Sequence, residues 1–350
     1  MIIIQGIKRL YRIIIAISKN RLLNYFIRYE KNSKNVIWIM GFNLRYFFTT
    51  SVLWDIATIS ALIKSGKTYS ITTNKRIKNI KNKDIYFTLH SNYNVFGFDN
   101  YVSVFDYLLK EIINNDNKLI PSLEQAKFWE NKAFMHRMFD ELNIPTPRTL
   151  ILTKKQIENI KQEFSFPYPF IVKLIHSYES KGIFKISNET EFRSFMESMS
   201  NRNEEFLVQE ILNMRKDIRI IFVDNKVEHF YWRINNSSDW RPTATSKGNS
   251  VDFESFPIEH KSVIEEYSRR LGLKIGAFDI AWQNDDLTST PIVLEVSPVF
   301  SPNPKTNNRW ELENYGDFKK KLRLFGYDYL YVTEIFRLKE LHLGSLFRDE

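Results

Sequence analysis

The spacing of apolar and polar residues changes period several times along the chain, and each change marks an element. Val36-Ile-Trp-Ile-Met40 is an unbroken apolar run of strand length, closed by Gly41. Leu53 to Lys64 switches to helical spacing and stops at Ser65-Gly66, a helix C-cap signature. Thr68 to Thr72 and Asp84 to Leu89 read as a second and third strand. Val102 to Ile113 reads as a helix that ends in the polar cluster Asn114 to Asn117. This strand–helix–strand order predicts a small, open, parallel α/β sheet. Gly41 opens no glycine-rich phosphate loop, so the pattern does not support a dinucleotide site there.

Further along, helical spacing covers Leu123 to Leu142 and ends before Pro145 and Pro147, which force extended backbone. Phe170 to Ile175 is a strand, a polar turn follows to Gly182, and Ile183 to Ile186 pairs back antiparallel. A helix over Glu189 to Met199 precedes a strand over Phe206 to Gln209. Strands over Ile218 to Val223 and Lys226 to Tyr231 flank the turn Asp224-Asn225. Glu259 to Leu271 is a helix, and two apolar strands close the pattern, Gly276 to Trp282 and Pro291 to Ser297. Strands and helices are mixed here rather than strictly alternating, which predicts α+β grafted on α/β. No internal repeat and no long low-complexity segment interrupts the order.

The first 28 residues form an amphipathic helical segment, or two. Gln5, Lys8, Arg9, Arg12, Lys19, Asn20, Asn24 and Arg28 recur at helical spacing, with Ile7, Leu10, Ile13, Ile14, Ile17 and Leu22 largely opposite. Its longest apolar run is too short to cross a bilayer, and no small-residue cleavage site follows it. Amphipathic helices ordinarily turn the apolar side to their own core, and that is the expectation. A second subunit, giving a homo-oligomer, and an anionic membrane interface met by the basic side are the alternatives.

Charge sharpens this picture. The chain is +9 overall, but residues 1–90 carry 16 Lys or Arg against 3 acids, a net of +13. Such asymmetry suggests an anionic partner. Nucleic acid is disfavoured, because no reader motif and no regular interleaving of aromatics accompanies the basic residues. Cysteine is absent, which excludes a disulfide framework, a thiolate metal site and a cysteine nucleophile. A reducing, cytoplasmic setting fits, including the inner face of a membrane. At 350 residues the chain has room for two or three domains.

The candidate chemistry lies in the last two strands, which carry one carboxylate each, Asp279 and Glu295. An unpaired charge inside a strand costs several kcal/mol, roughly, so two such acids are expected to hold a cation or to sit at solvent-facing strand ends. A buried Lys173 within Phe170 to Ile175 makes the same demand for an anion.

Several segments occur in one order: Asn131 to Pro147, Pro169-Phe-Ile-Val-Lys173 with its following loop, Val208 to Leu212, Asp217-Ile-Arg219 and the two carboxylate strands. In this the chain resembles the ATP-grasp superfamily over roughly residues 120–304, nearest the glutathione synthetase and ribosomal-protein glutamate ligase branch. The resemblance implies a pre-ATP-grasp α/β domain followed by an ATP-grasp fold of two α+β subdomains with ATP between them. The expected boundaries are 1–34 for the basic segment, 35–120 for the first domain, 121–335 for the ATP-grasp domain with its lid subdomain at about 149–212, and 336–350 for a tail.

The resemblance also implies roles. Lys132, at what reads as an exposed helix start, and Lys173 would contact ATP phosphates. Ser177, Ser180 and the backbone at Gly182 would donate to phosphate oxygens from a lid loop with a single glycine. Gln209, Glu210, Ile211 and Leu212 match the adenine hinge, and Asp217 would accept from ribose. Asp217 and Arg219 alternatively form a surface ion pair on one strand face. Arg219 would point to the phosphate site, and Arg233 and Arg241 would bind the reacting carboxylate or acyl phosphate. Asp279 and Glu295 would hold magnesium, for which manganese could substitute. Ser297 stands where the family pattern has asparagine, and Asn303 is a second source of the missing oxygen. Thr243 and Lys247 likewise depart from the closest relatives, pointing to a different acceptor.

The implied activity is ATP-dependent ligation of a carboxylate to an amine through an acyl phosphate, adding an amino acid to a cell-envelope glycan, which would suit the basic end, or to a peptide. The alternatives are an ATP-grasp kinase acting on a small molecule and a nucleotide-binding scaffold without turnover.

Overall fold

The computed structural model describes residues 2–40, 49–89, 108–129, 131–153, 155–156, 167–175, 182–199, 205–237, 243, 249–305 and 325–348. The chain divides into two compact units: Met1–Lys127 with Pro298–Glu311 and Asp317–Glu350, and Phe128–Ser297 with Leu312–Gly316.

The first unit holds α1 (Ile2–Ser18), α2 (Leu22–Ile27), β1 (Asn35–Ile39), α3 (Ser51–Lys64), β2 (Ser70–Thr73), β3 (Asp84–Phe87), β4 (Lys118–Ile120) and α4 (Leu123–Lys127). Its sheet has the order β2-β1-β3-β4, and every pairing is parallel. β1 is buried at all five positions, as its unbroken apolar run requires. Gly66 ends α3 at φ +73°, a left-handed conformation that glycine adopts without strain. Strand β4 is too short for periodicity to reveal. Buried Asn117 secures it, accepting from the Lys83 N–H at 2.9 Å and donating to the Ile80 and Ile112 carbonyls. Of the expected helix over Val102 to Ile113, residues 108–113 are described and helical.

The N-terminal segment forms as expected but packs the other way round. α1 meets the protein through Ile15, Ala16 and part of its basic side: Arg12 Nε donates to Asp328 Oδ1 at 2.7 Å, Lys8 lies 3.4 Å from Asp328 Oδ2, and Lys19 donates to Thr333. Ile7, Leu10, Ile14 and Ile17 of its apolar stripe stay exposed, while Ile13 is half-buried. The reason is Asp328, a fully buried acid in the C-terminal helix that requires a cation. Residues 336–350, expected as a tail, instead continue that helix as far as Arg348. Ile335, Phe336, Leu338 and Leu343 recur at helical spacing and are buried.

The single helix expected over Leu123 to Leu142 is two helices. Asn131 interrupts it, and its side chain accepts from the Phe134 N–H at 3.1 Å to cap α5 (Lys132–Glu141). The second unit then builds two antiparallel sheets. β5 (Thr149–Thr153), β6 (Phe170–Leu174), β7 (Ile183–Ile186) and β8 (Glu205–Glu210) pair in the order β5-β8-β6-β7, with α6 (Glu189–Ser198) between β7 and β8 in sequence. β9 (Lys216–Val223), β10 (Lys226–Ile234), β11 (Ser250–Asp252), β12 (Ile275–Ala281) and β13 (Ile292–Ser297) pair in the order β11-β10-β9-β12-β13, with α7 (Lys261–Leu271) before β12. A final helix, α8 (Phe325–Arg348), belongs to the first unit.

Strand alternation gives each sheet of the second unit one apolar and one chemically active face. In the four-stranded sheet, Phe170, Val172, Phe206 and Val208 pack on Phe192, Phe195 and Met196 of α6. In the five-stranded sheet, Ile218, Ile220, Phe222, Trp232, Phe278, Ile280, Val293 and Val296 form a core with Ile264 and Tyr267 of α7. Helix α5 touches both sheets: Ala133 packs with Ile175 and Leu207, while Met135 and Phe139 join the larger core.

Candidate active site

The active faces carry nearly all the charged groups singled out above. On the five-stranded sheet, Tyr231 of β10 pairs with Arg219 of β9, Arg219 with Asp279 of β12, and Asp279 with Glu295 of β13. This is one cross-strand row, so the four side chains stand together on the face opposite the core. A bulge between Asp279 and Ile280 lets Val293 and Val296 both reach the core while Glu295 stays opposite Asp279. Ser297, two residues beyond Glu295 and paired with Ala277, lies on the same face.

The acids in this row are heavily engaged. Asp279 is 8% exposed and accepts from Arg219 through Nε at 2.7 Å and Nη2 at 2.8 Å. Arg233 Nη2 lies 2.8 Å from Asp279 Oδ2 and also pairs with Asp217, its register partner. Burial pushes the Asp279 carboxyl up, but Arg219 and Arg233 more than reverse this and hold it at about 2. The guanidinium of Arg219 is correspondingly raised well above its ordinary value, as Asp279 and neighbouring groups outweigh its burial.

Asp217 does not pair with Arg219 on the surface. It is 1% exposed, its oxygens receive Arg233 and the Thr243 hydroxyl at 2.7 Å, and Arg219 turns to Asp279 instead. Asp217 is thus a buried acceptor for Arg233 and Thr243 rather than half of a surface ion pair. Thr243, read from sequence only as a departure, is the hydroxyl that completes this carboxylate.

Lys173 enters from the other sheet. Period-2 alternation places it on the β6 face away from α6, beside Leu207, its cross-strand partner. Burial lowers its ammonium, Glu295 and Asp279 raise it and Lys132 lowers it, leaving about 8. Lys173 is thus close enough to Glu295, Lys132 and Asp279 to feel their charges. Lys132 is not on an exposed helix start: it is 6% exposed, and its N–H donates to the Ile175 carbonyl at 3.2 Å. The early cap at Asn131 directs the first turn of α5 against β6 and so buries it.

Between the lysines and the hinge sits His136, which sequence reading missed because one histidine in a helix has no pattern. Its Nδ1 lies 3.4 Å from the Thr146 hydroxyl and its Nε2 3.5 Å from Gln209 Nε2. Burial lowers the imidazole first, Lys173 and Lys132 lower it further, and it falls to about 3. The unfolded imidazole takes up a proton near 6.5, so between pH 6.5 and about 3 the unfolded chain binds more protons. Stability should fall with acidification over this window, by up to about 1.4 kcal/mol per pH unit. Denaturant titrations over that range should show a steeper slope in the wild type than in His136→Gln, most clearly above pH 5, where Asp279 does not contribute.

Gln209 is 1% exposed and turns inward, donating to the Thr149 hydroxyl at 2.7 Å. Glu210, at the end of β8, is tied to the preceding segment by Arg148, whose N–H donates to Glu210 Oε1 at 2.8 Å. Ile211 is half-buried and Leu212 buried. Gly182 closes the hairpin, accepting from the Leu174 N–H at 2.8 Å. Ser177, Ser180 and Arg241 lie outside the described residues. Asn303 belongs to the first unit, where its Oδ1 accepts from the Tyr327 hydroxyl at 3.1 Å.

The donor set suits magnesium. Two register-paired carboxylates offer hard oxygens, and among the described residues no cluster of three or more His, Cys, Asp or Glu could hold a metal alone. Magnesium needs no such cage, because it keeps waters and takes further oxygens from phosphates.

Two antiparallel sheets joined by a helix that bears a buried Lys132, with a half-buried Lys173 on one sheet and paired acids on the other, fit the ATP-grasp class. The chain belongs to the RimK-like ATP-grasp family, whose domain model matches residues 129–307. It is 28% identical over 151 residues to the alpha-aminoadipate–LysW ligase LysX of Saccharolobus solfataricus, a match covering 42% of this chain and 51% of that protein. The chain thus spans about half the length of this curated relative. The RimK domain ATP-grasp protein of Sphaerobacter thermophilus shares the fold at a TM-score of 0.55 and 14% identity, over 89% of this chain and 100% of that one. D-alanine–D-alanine ligase of Bacillus anthracis complexed with ATP does so at 0.54 and 14%, over 91% and 100%.

Proposed function

We propose that this protein is an ATP-dependent carboxylate–amine ligase that forms an amide through an acyl phosphate. The observation that carries the reading is Lys173, half-buried on β6 and close enough to Glu295, Lys132 and Asp279 to feel their charges, together with the register pair Asp279 and Glu295. Two ammonium groups beside two carboxylates suit a triphosphate with its magnesium. Family membership and the ligase named among its relatives support the same class.

In this reading Glu210 to Leu212 hold adenine, and Lys132, Lys173, Ser177, Ser180 and the Gly182 backbone bind phosphates. Asp279 and Glu295, with Ser297 as a further oxygen in preference to Asn303, hold magnesium, which neutralises charge on the phosphates when bound. Arg219, Arg233 and Arg241 orient the substrate carboxylate as it attacks the γ-phosphorus and ADP leaves. They then stabilise the oxyanion formed when the amine attacks the acyl carbon and phosphate departs. Bound phosphates would also compete for the arginines that now occupy Asp279.

Incubation with ATP, magnesium, hydroxylamine and pooled small carboxylic acids tests the reaction class. A hydroxamate with stoichiometric ADP is expected. A phosphorylated product without hydroxamate would mark a kinase, and no ADP release would mark a scaffold. For the substrates, an amino acid joined to an envelope glycan or a peptide is the finer proposal, supported by the basic N-terminal region. Mass spectrometry of condensation products from cell metabolites tests it.

Lys173 makes a prediction of its own. Phosphate would raise the free ammonium above about 8, so nucleotide binding should take up protons near pH 8.5 and weaken as pH rises through 8. Calorimetry in buffers of different ionisation enthalpy should detect the uptake. Lys173→Met should abolish it and weaken ATP by about tenfold to a hundredfold.

A further inference from the structure

The N-terminal helices of the first unit show their oily side to solvent. Ile7, Leu10, Ile14 and Ile17 follow one another at spacings of three and four along α1, and each is exposed. Leu22, Leu23, Phe26 and Ile27 of α2, which begins four positions after α1 ends, are exposed as well, with Leu23 at 66% and Phe26 at 72%. Eight large apolar residues within 21 positions exceed the scattered apolar residues of an ordinary surface.

This orientation is enforced. Turning the stripe inward would withdraw Arg12 and Lys8 from Asp328, which is fully buried, and leave an uncompensated charge. Arg12 also lies 4.6 Å above the Tyr331 ring and Lys19 4.3 Å above that of Tyr329. Lys8, Arg12 and Lys19 are thereby committed to α8, and Ile7, Leu10, Ile14 and Ile17 are what the helix offers.

Charge selects the occupant. Arg9 and Arg21 are exposed beside the stripe, Lys31 and Lys34 follow it, and Glu30 is the only acid before Asp55. A second copy would bring the same arginines and the same +13 region against themselves across a two-fold contact. An anionic lipid surface pairs with those cations and takes the apolar side chains at the headgroup boundary. Spanning is not implied: among the described residues no helix is long and apolar enough to cross a membrane.

We propose that α1 and α2 seat this protein on an anionic bilayer, apolar stripe down, with Arg9 and Arg21 at the level of the headgroups.

The absence of cysteine makes the test clean. The full chain carrying Phe26→Cys, labelled with an environment-sensitive nitrobenzoxadiazole, should brighten and shift blue with vesicles of phosphatidylcholine and phosphatidylglycerol. It should respond far less to phosphatidylcholine alone. In co-sedimentation, the exposed-site double substitution Leu23→Ser with Phe26→Ser should weaken partitioning at least about tenfold. Arg9→Glu with Arg21→Glu should remove the preference for anionic vesicles. Circular dichroism and the melting midpoint should stay at wild-type values for all variants. Absence of vesicle binding by the wild type would overturn the proposal, as would binding that survives both double substitutions. A dimer in analytical ultracentrifugation that dissociates on Leu23→Ser with Phe26→Ser would assign the face to a second copy instead.

Discussion

Glu295→Gln is expected to lower ADP release by about a thousandfold or more at saturating magnesium, with little change in the melting midpoint. Glu295 is half-buried at the outer strand of its sheet, and its register partner Asp279 keeps Arg219 and Arg233 neutralised without it. The variant should therefore lose a metal ligand and little else. Magnesium should no longer tighten ATP binding, a readout that calorimetry gives even before the substrates are known. Asp279→Asn should lose turnover to a similar degree but also destabilise the unit, because two guanidiniums would lose their shared carboxylate. Wild-type turnover in Glu295→Gln would remove the paired acids from the mechanism.

Asp217→Asn is expected to cost about 3–5 kcal/mol of stability, the usual consequence of breaking a buried ion pair from one side. Arg233 is buried between Asp217 and Asp279, and Asp217 also receives the Thr243 hydroxyl. Without the Asp217 charge, two arginines must share one carboxylate away from water. Denaturant unfolding followed by tryptophan fluorescence should show the loss, and Asp286→Asn, at an exposed acid whose contacts with Thr288 an asparagine oxygen also accepts, should show far less. A change under about 1 kcal/mol for Asp217→Asn would mean that water reaches the arginine row and already screens it.

The elements themselves were legible where period and length agreed. Phe170 to Ile175 and Gly276 to Trp282 are apolar runs of strand length, and both became strands. Strands β4 and β11, of three residues each, were not legible, because so short a run carries no period. The helix break at Asn131 was missed because helical spacing continues across it. A cap is chosen by one side-chain hydrogen bond, which the apolar pattern does not register.

The candidate site divides in the same way. Lys173, Asp279 and Glu295 stood out because a charge inside an apolar run needs a partner. Which partner each took was a matter of register. Arg219 faces Asp279 and Arg233 faces Asp217 because β9 pairs with β12 on one side and β10 on the other. Adjacent sequence, Asp217-Ile-Arg219, suggested the opposite pairing. His136 carried no signal at all, and only its burial between Gln209 and the two lysines marks it.

By itself the sequence determined the class of fold, the order of its elements and which charged residues would need company, since periodicity and the cost of burying charge act locally along the chain. Only the tertiary structure decided how those charges pair, that Lys132 is buried, and which side of α1 meets the protein. Such choices depend on strand register and on a distant acid, Asp328, set 316 positions from Arg12.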